Sequence, residues 1–431
     1  MRHRAPAIDR LPTPLLTILA GSAGFFAYFS MYAFRKPFAA AAFTDVAGWA
    51  LAIDYKTVLL IAQVLGYALS KLIGIRVIAE IGRTGRAGGI LGLIGFSWLA
   101  LVAFALLPPP WTILCLFLNG LPLGMIWGLV FSYLEGRRTS EMLGAMLCAS
   151  FILSSGAVKS VAMLLMQAGV SEYWMPAATG ALFMPLLLVS VALLEKLPPP
   201  DARDEAERTP RVPMRRGDRI AFLRDHGLAM LLLVLGYVLL TALRDFRDSF
   251  AAELWADLGF AGVASVFSTS ELPVAAIALG ALASLILIRD NMRALLVMHG
   301  VIIAGALLLG LSTVAFQAGL LAPLPWMILS GAGLYAAYTP FNAMLFDRMI
   351  AAIGRAGNAG FLIYIADASG YAGSVALLLY RSLAAPKMDW VRFFIDCAYA
   401  TAVIVGLLTA LSAVAFVRKG RHPAAGRRAP A

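Results

Sequence analysis

Twelve stretches of about twenty predominantly apolar residues constrain this chain more than any other feature. They run approximately over 13–34, 57–80, 87–107, 111–134, 143–166, 176–194, 228–244, 266–288, 293–315, 323–346, 359–380 and 393–417. A helix needs about 20 apolar residues to cross the hydrocarbon core of a bilayer. Inside lipid, every backbone polar group must be satisfied within the helix or in a closed barrel. The runs therefore predict an all-α integral membrane protein with twelve transmembrane helices. Only 14% of residues are charged and 61% are hydrophobic, with a mean hydropathy of +0.83; soluble domains carry about a quarter charged residues. The lipid bilayer is the first partner implied.

The net charge of +11 invites a nucleic-acid reading, which the placement of the basic residues opposes. With both termini on one side, that side collects Arg2, Arg4 and Arg10, the pairs Arg83/Arg86 and Arg137/Arg138, eight basic residues between the sixth and seventh runs, and five in the carboxy-terminal tail. The opposite loops hold Lys36, Lys56, Arg381, Lys387 and little else. This asymmetry predicts cytoplasmic termini in a bacterial-type inner membrane by the positive-inside rule, and no nucleic-acid partner. The first run is longer than the 7 to 15 apolar residues of a secretory signal, so it reads as a retained helix. Cys115, Cys148 and Cys397 all fall inside apolar runs, and the four histidines do not cluster. No disulfide framework, metal site or cofactor is expected.

The chain also repeats itself. Tyr28, Tyr32 and Arg35 stand at i, i+4 and i+7, a spacing that puts them on one helical face. Tyr237, Thr241 and Arg244 carry the same spacing 209 positions later, and Ser155-Gly156 recurs as Ser369-Gly370 after 214. Diverged copies of this kind are the sequence trace of a transporter repeat. The expected organisation is a six-helix half over 1–194, a charged and proline-rich cytoplasmic linker over 195–227, a pseudo-symmetric six-helix half over 228–417 and a basic cytoplasmic tail over 418–431. The linker reads first as a flexible tether, and it or the tail is where any cytoplasmic partner, unidentified by the sequence, would dock.

Ionisable residues inside the apolar runs mark candidate sites, because a charge at bilayer depth costs roughly 2.5 to 3.5 kcal/mol on insertion scales and needs a cavity or a partner. Gln63, Tyr67 and Lys71 form a polar stripe at four-residue steps, with Lys71 about 21 Å from the outer end of its helix. Lys159 follows Ser154-Ser155-Gly156. Arg244 opens the series Arg244-Asp245-Phe246-Arg247-Asp248, where the i,i+4 spacing lets Arg244 pair with Asp248. Glu271 precedes Pro273, and Asp367 precedes Ser369-Gly370.

These residues carry a resemblance. Tyr28-x-x-x-Tyr32-x-x-Arg35-Lys36-x-Phe38, Gly66-Tyr67-Ala-Leu-Ser70-Lys71, Leu243-Arg244, Ser270-Glu271-x-Pro273 and the stretch from Leu334-Tyr335 to Gly370-Tyr371 resemble the organophosphate:phosphate antiporters of the major facilitator superfamily. The chain departs from that pattern at Pro37, at Ser150 where the family has a histidine, and at Asp245, Arg247 and Asp248. The resemblance implies the major facilitator fold and a secondary active transporter, not an enzyme, that moves a phosphate ester or phosphate by alternating access. It places Arg35 and Arg244 as opposed anion clamps, since a guanidinium binds phosphate or carboxylate oxygens in bidentate fashion. Tyr28, Tyr32 and Tyr237 would bond the same small anionic solute. Lys71 would add charge, with Glu271 holding it when the site is empty, and Lys159, Asp245, Arg247 and Asp367 are candidates for coupling or gating. Two alternatives stay open: a proton-coupled transporter of a non-phosphorylated solute, and a transporter-like membrane sensor.

Overall fold

The computed structural model describes residues 12–44, 46–80, 85–137, 139–200, 204, 216–353 and 359–420. The apolar runs become helices in order: α1 (Thr13–Tyr32), α2 (Tyr55–Glu80), α3 (Arg86–Leu106), α4 (Trp111–Leu123), α5 (Ile126–Leu134), α6 (Ser140–Gln167) and α7 (Met175–Glu195) build the first half. The second half comprises α8 (Arg216–Ser249), the short α9 (Ala251–Asp257), α10 (Ser265–Ile286), α11 (Asn291–Gln317), α12 (Pro323–Ala343), α13 (Leu345–Ile353), α14 (Ala359–Ala384) and α15 (Trp390–Gly420). Among the described residues, ten segments are long and apolar enough to cross a membrane, with α4 and α5 together forming one of them. Helices α12 and α14 cover the tenth and eleventh of the twelve apolar runs.

The fourth and tenth spans break at matching places. Pro122 precedes the step from α4 to α5, and Pro340 precedes the step from α12 to α13. Proline removes an intrahelical hydrogen bond and crowds the preceding turn. In both halves it therefore divides the span into a long and a short segment.

Packing within the first half joins α1 to α6 and α7, and α2 to α4. Within the second half, α8 lies against α14 and α15, and α11 against α12. The α2–α4 seam is the tightest. A Cβ on Gly66 would collide with the Phe117 carbonyl oxygen, and one on Gly120 with the Gln63 carbonyl oxygen. Small residues permit this backbone approach where lipid offers no hydrophobic drive between helices. Gly120→Ala is expected to cost about 1–3 kcal/mol through overpacking, read as a lower midpoint in thermal denaturation. An unchanged midpoint would mean that the seam yields freely.

The two halves meet chiefly along α6 against α10 and α2 against α14. The bundle end where α1 begins is called the near end, and the end where α1 stops the far end. Two differences from the sequence expectation bear on the site. Helix α1 stops at Tyr32, so Arg35 sits in the turn that follows and leaves the face shared by Tyr28 and Tyr32; Pro37 then starts a short 3₁₀ turn over Pro37–Ala40. Helix α8 starts at Arg216, inside the expected linker, and runs past Arg244 to Ser249, so the whole Arg244–Asp248 series is helical. The remaining linker positions 201–203 and 205–215, and tail positions 421–431, lie outside the described residues. So do 81–84, which include Arg83; Arg86 itself donates to the Ser132 carbonyl at 2.8 Å.

Candidate functional site

The turn after α1 carries carbonyls beyond the helical hydrogen bonding, and a polar network collects two of them. Gln63 Nε2 donates to the Arg35 carbonyl at 3.0 Å and to Asn119 Oδ1 at 2.7 Å. Asn119 Nδ2 donates to the Phe34 carbonyl at 2.8 Å and to Ser97 Oγ at 2.7 Å. Both amide nitrogens spend their protons inside the network, which holds it in one arrangement. It fixes the backbone on which Arg35 and Lys36 stand. Sequence reasoning missed Asn119, although a lone amide within the apolar α4 was the available signal.

From this mount the Arg35 guanidinium lies over the Tyr67 ring, 3.7 Å from its centroid. The residue is 7% exposed, its Nε has no hydrogen-bond partner, and among the described residues no carboxylate pairs with it. Arg244 is placed differently. It lies 4.2 Å over the Tyr338 ring and binds Asp245 Oδ1 through Nη2 at 2.6 Å and Nε at 3.1 Å. Asp245 Oδ2 accepts from Ser374 on α14 at 2.8 Å. The expected Arg244–Asp248 pairing is thus replaced by the adjacent residue.

Towards the near end, Lys71 pairs across the halves with Asp367, which also accepts a 2.6 Å bond from the Tyr237 hydroxyl. Lys71 is therefore held by Asp367 and not by Glu271. Glu271 instead takes Arg247 Nη1 at 2.7 Å, while Arg247 Nη2 donates to the Met327 carbonyl at 3.0 Å. Tyr28 stands edge-on to Tyr32 and Trp127, and Tyr237 stacks on Tyr338 with centroids 5.3 Å apart.

The far end is closed by charges. Asp248 accepts from Lys36, Lys159 and Ser155, which joins the end of α8 to the first half at three side chains. Lys56 binds Glu253 at 2.5 Å and the Ala39 carbonyl at 2.8 Å. Lys36 and Lys56 read as outer-loop charges in the sequence, yet both are buried between the halves. Beside them, Gly156 lets α6 approach the Phe267 carbonyl of α10, where any Cβ would crowd it.

Asp248 serves two lysines and, among the described residues, no carboxylate forms an ion pair with Arg35. Across these interior residues the cations consequently outnumber the carboxylates by two. Burial pushes the Glu253 carboxyl above the usual glutamate range, with Lys56 opposing. The folded protein then holds this proton more tightly than the unfolded chain does. Its contribution to stability falls as pH rises from the ordinary value through the raised one. Thermal denaturation across that interval should show the slope, and Glu253→Gln should remove it; a slope that persists would have another source.

A family model described as a family of unknown function (DUF5690) matches residues 37–419. The chain belongs to this family. The matched stretch contains every site residue above except Tyr28, Tyr32, Arg35 and Lys36, and the carbonyl-bearing Phe34. No curated protein matches the chain in sequence. Among solved structures, it is similar to a bacterial homologue of the human drug peptide transporters PepT1 and PepT2, at 13% identity and a TM-score of 0.60, over 95% of this chain and 100% of that one. A D-xylose-proton symporter gives 13% and 0.61 over 92% and 95%. The human organic anion transporter MFSD10 gives 14% and 0.55 over 93% and 100%. The fold is that of the major facilitator transporters.

Proposed function

We propose that this protein is a secondary active transporter of a small organic anion, working by alternating access between its two halves. The observation that carries the reading is Arg35: a buried guanidinium, held on a hydrogen-bonded mount beside the interface, that pairs with no carboxylate among the described residues. A buried uncompensated charge is costly, and an anion supplies the missing partner with matching bidentate geometry. Arg244 faces the same region and is kept charged but occupied by Asp245 until a ligand competes for it. The interior excess of two cations favours a dianion, which together with the first-helix resemblance points to a phosphate ester or phosphate and to exchange between them.

In this scheme the units 1–194 and 228–417 rock as bodies tethered by 195–227, with both termini cytoplasmic in the inner membrane. The far-end ion pairs are the outer gate, and the present geometry is the state closed on that side. Tyr28 and Tyr32 supply hydroxyls to the ligand and Tyr237 stays on Asp367, while Lys71 and Lys159 flank the ligand. Arg247–Glu271 stiffens the gate from the second half.

The test is thermal stabilisation of the purified protein by inorganic phosphate, glycerol phosphate and hexose phosphates, followed by counterflow in vesicles. A ligand that binds the folded state raises its stability by mass action, about 2.7 kcal/mol at a hundred times the dissociation constant. Stabilisation that disappears in Arg35→Ala, and counterflow by the same compound, are expected. Stabilisation only by uncharged or cationic solutes would sink the anion reading.

A further inference from the structure

The Lys71–Asp367 pair differs from the far-end pairs in where its lysine stands. Lys71 Nζ is 5.6 Å from the centroid of the Tyr67 ring that also carries Arg35 at 3.7 Å, so one aromatic ring has both cations beside it. The shared ring makes Lys71 the second cation offered to an anion with two charged oxygens held by Arg35. The Lys71 side chain is 21% exposed, more than any other cation paired between the halves, whereas Asp367 stays buried at 9%. The lysine is open to solvent on one side; the carboxylate is enclosed.

The groups facing Asp367 are Lys71 and Tyr67 from α2, Tyr237 from α8, Tyr338 from α12 and Tyr371 on its own helix. Arg244 lies beyond Tyr338 and is held by Asp245. If Lys71 leaves, only hydroxyls remain around the carboxylate, and a buried carboxylate without a cation neutralises by binding a proton.

We propose that Asp367 is a proton-binding residue coupled to the transported anion: when a dianion bridges Arg35 and Lys71, Lys71 leaves Asp367 and the stranded carboxylate takes up one proton. The inference rests on the anion reading of the same site. One ammonium hydrogen bond passes from Asp367 to the anion, and one proton from near-end water joins Asp367. Tyr237 continues to donate to Oδ1, and no covalent bond to carbon or phosphorus changes. A monoanion held by Arg35 alone leaves the ion pair intact and brings no proton.

The experiment is titration calorimetry of the full-length protein with inorganic phosphate at mildly alkaline pH, in buffers of different ionisation enthalpy, with dimethyl phosphate as the monoanion. The wild-type protein should take up about one proton more per phosphate bound than Asp367→Asn, the phosphate's own titration being common to both; dimethyl phosphate should show no such difference. Infrared difference spectra of the wild-type protein should gain a carboxylic-acid band on saturation with phosphate, which decides the matter even if the variant does not fold. Phosphate binding with no such band, or with equal proton uptake in both proteins, overturns the proposal and leaves the anion site standing. No binding of phosphate or phosphate esters removes the anion reading, and this inference with it.

Discussion

An Asp248→Asn protein is expected to lose its closed far end. One carboxylate there receives Lys36, Lys159 and Ser155 from the opposite half, and its loss leaves two buried ammonium groups unpaired. Removing one partner of a buried pair costs about 3–5 kcal/mol, and here the cost falls on the closed arrangement, since separation of the halves lets the lysines reach water. At about 1.4 kcal/mol per tenfold, even the lower figure moves the equilibrium roughly a hundredfold towards the open far end. Spin labels at Ala168→Cys and Ala261→Cys, both exposed and on opposite halves, would report it in a background without Cys115, Cys148 and Cys397. The expected result is a longer and broader distance distribution. An unchanged one would show that apolar packing of α6 on α10 closes this end unaided. Arg392→Ala breaks only an exposed i,i+4 pair with Asp396 and should change nothing, as such pairs contribute little.

Arg35 and Arg244 should respond oppositely to removal, although the repeat presents them as equivalents. Arg35→Met takes away a charge that no carboxylate answers. Stability should hold or rise, and phosphate stabilisation should vanish. Arg244→Met strands Asp245, which is buried beside Ser374, and should destabilise the protein by about 3–5 kcal/mol. Adding Asp245→Asn to Arg244→Met should recover most of that loss, because an amide has no charge to strand. Thermal midpoints of the four proteins, with and without phosphate, form the check. Equal destabilisation at both arginines would mean that Arg35 has an acidic partner in solution and that the asymmetry is wrong.

Much of the architecture was legible because membrane folding writes itself locally. Twenty apolar residues in a row leave the backbone little choice but a helix, and a proline inside the fourth and tenth spans marks their breaks. The repeat at Arg35 and Arg244 likewise identified the two arginines that flank the interface. Pairing was less legible, because carboxylates on several helices compete for each cation and only three-dimensional proximity ranks them. Lys71 had Glu271 and Asp367 as rivals hundreds of positions away, and the structure gives it Asp367. Asp248 sat at helical spacing from Arg244, yet Lys36 and Lys159 from the other half claim it. Arg244 is drawn over the Tyr338 ring and takes its immediate neighbour instead. Lys36 and Lys56 looked like ordinary loop charges because burial by the opposite half leaves no mark on their own segment.

The turn after α1 has a mechanical meaning. Arg35 and Lys36 are consecutive, their backbone is pinned by Gln63 and Asn119, and one reaches the Tyr67 ring while the other grips Asp248. The turn acts as a lever with a short arm on each side of a fixed fulcrum. On the anion reading proposed above, a ligand that pulls on Arg35 loads the grip of Lys36, and a far end that opens slackens the hold on the ligand. Thermodynamic reciprocity makes the two effects equal in free energy. Lengthening the turn by one residue between Arg35 and Lys36 would uncouple ligand affinity from closure of the far end while leaving each intact.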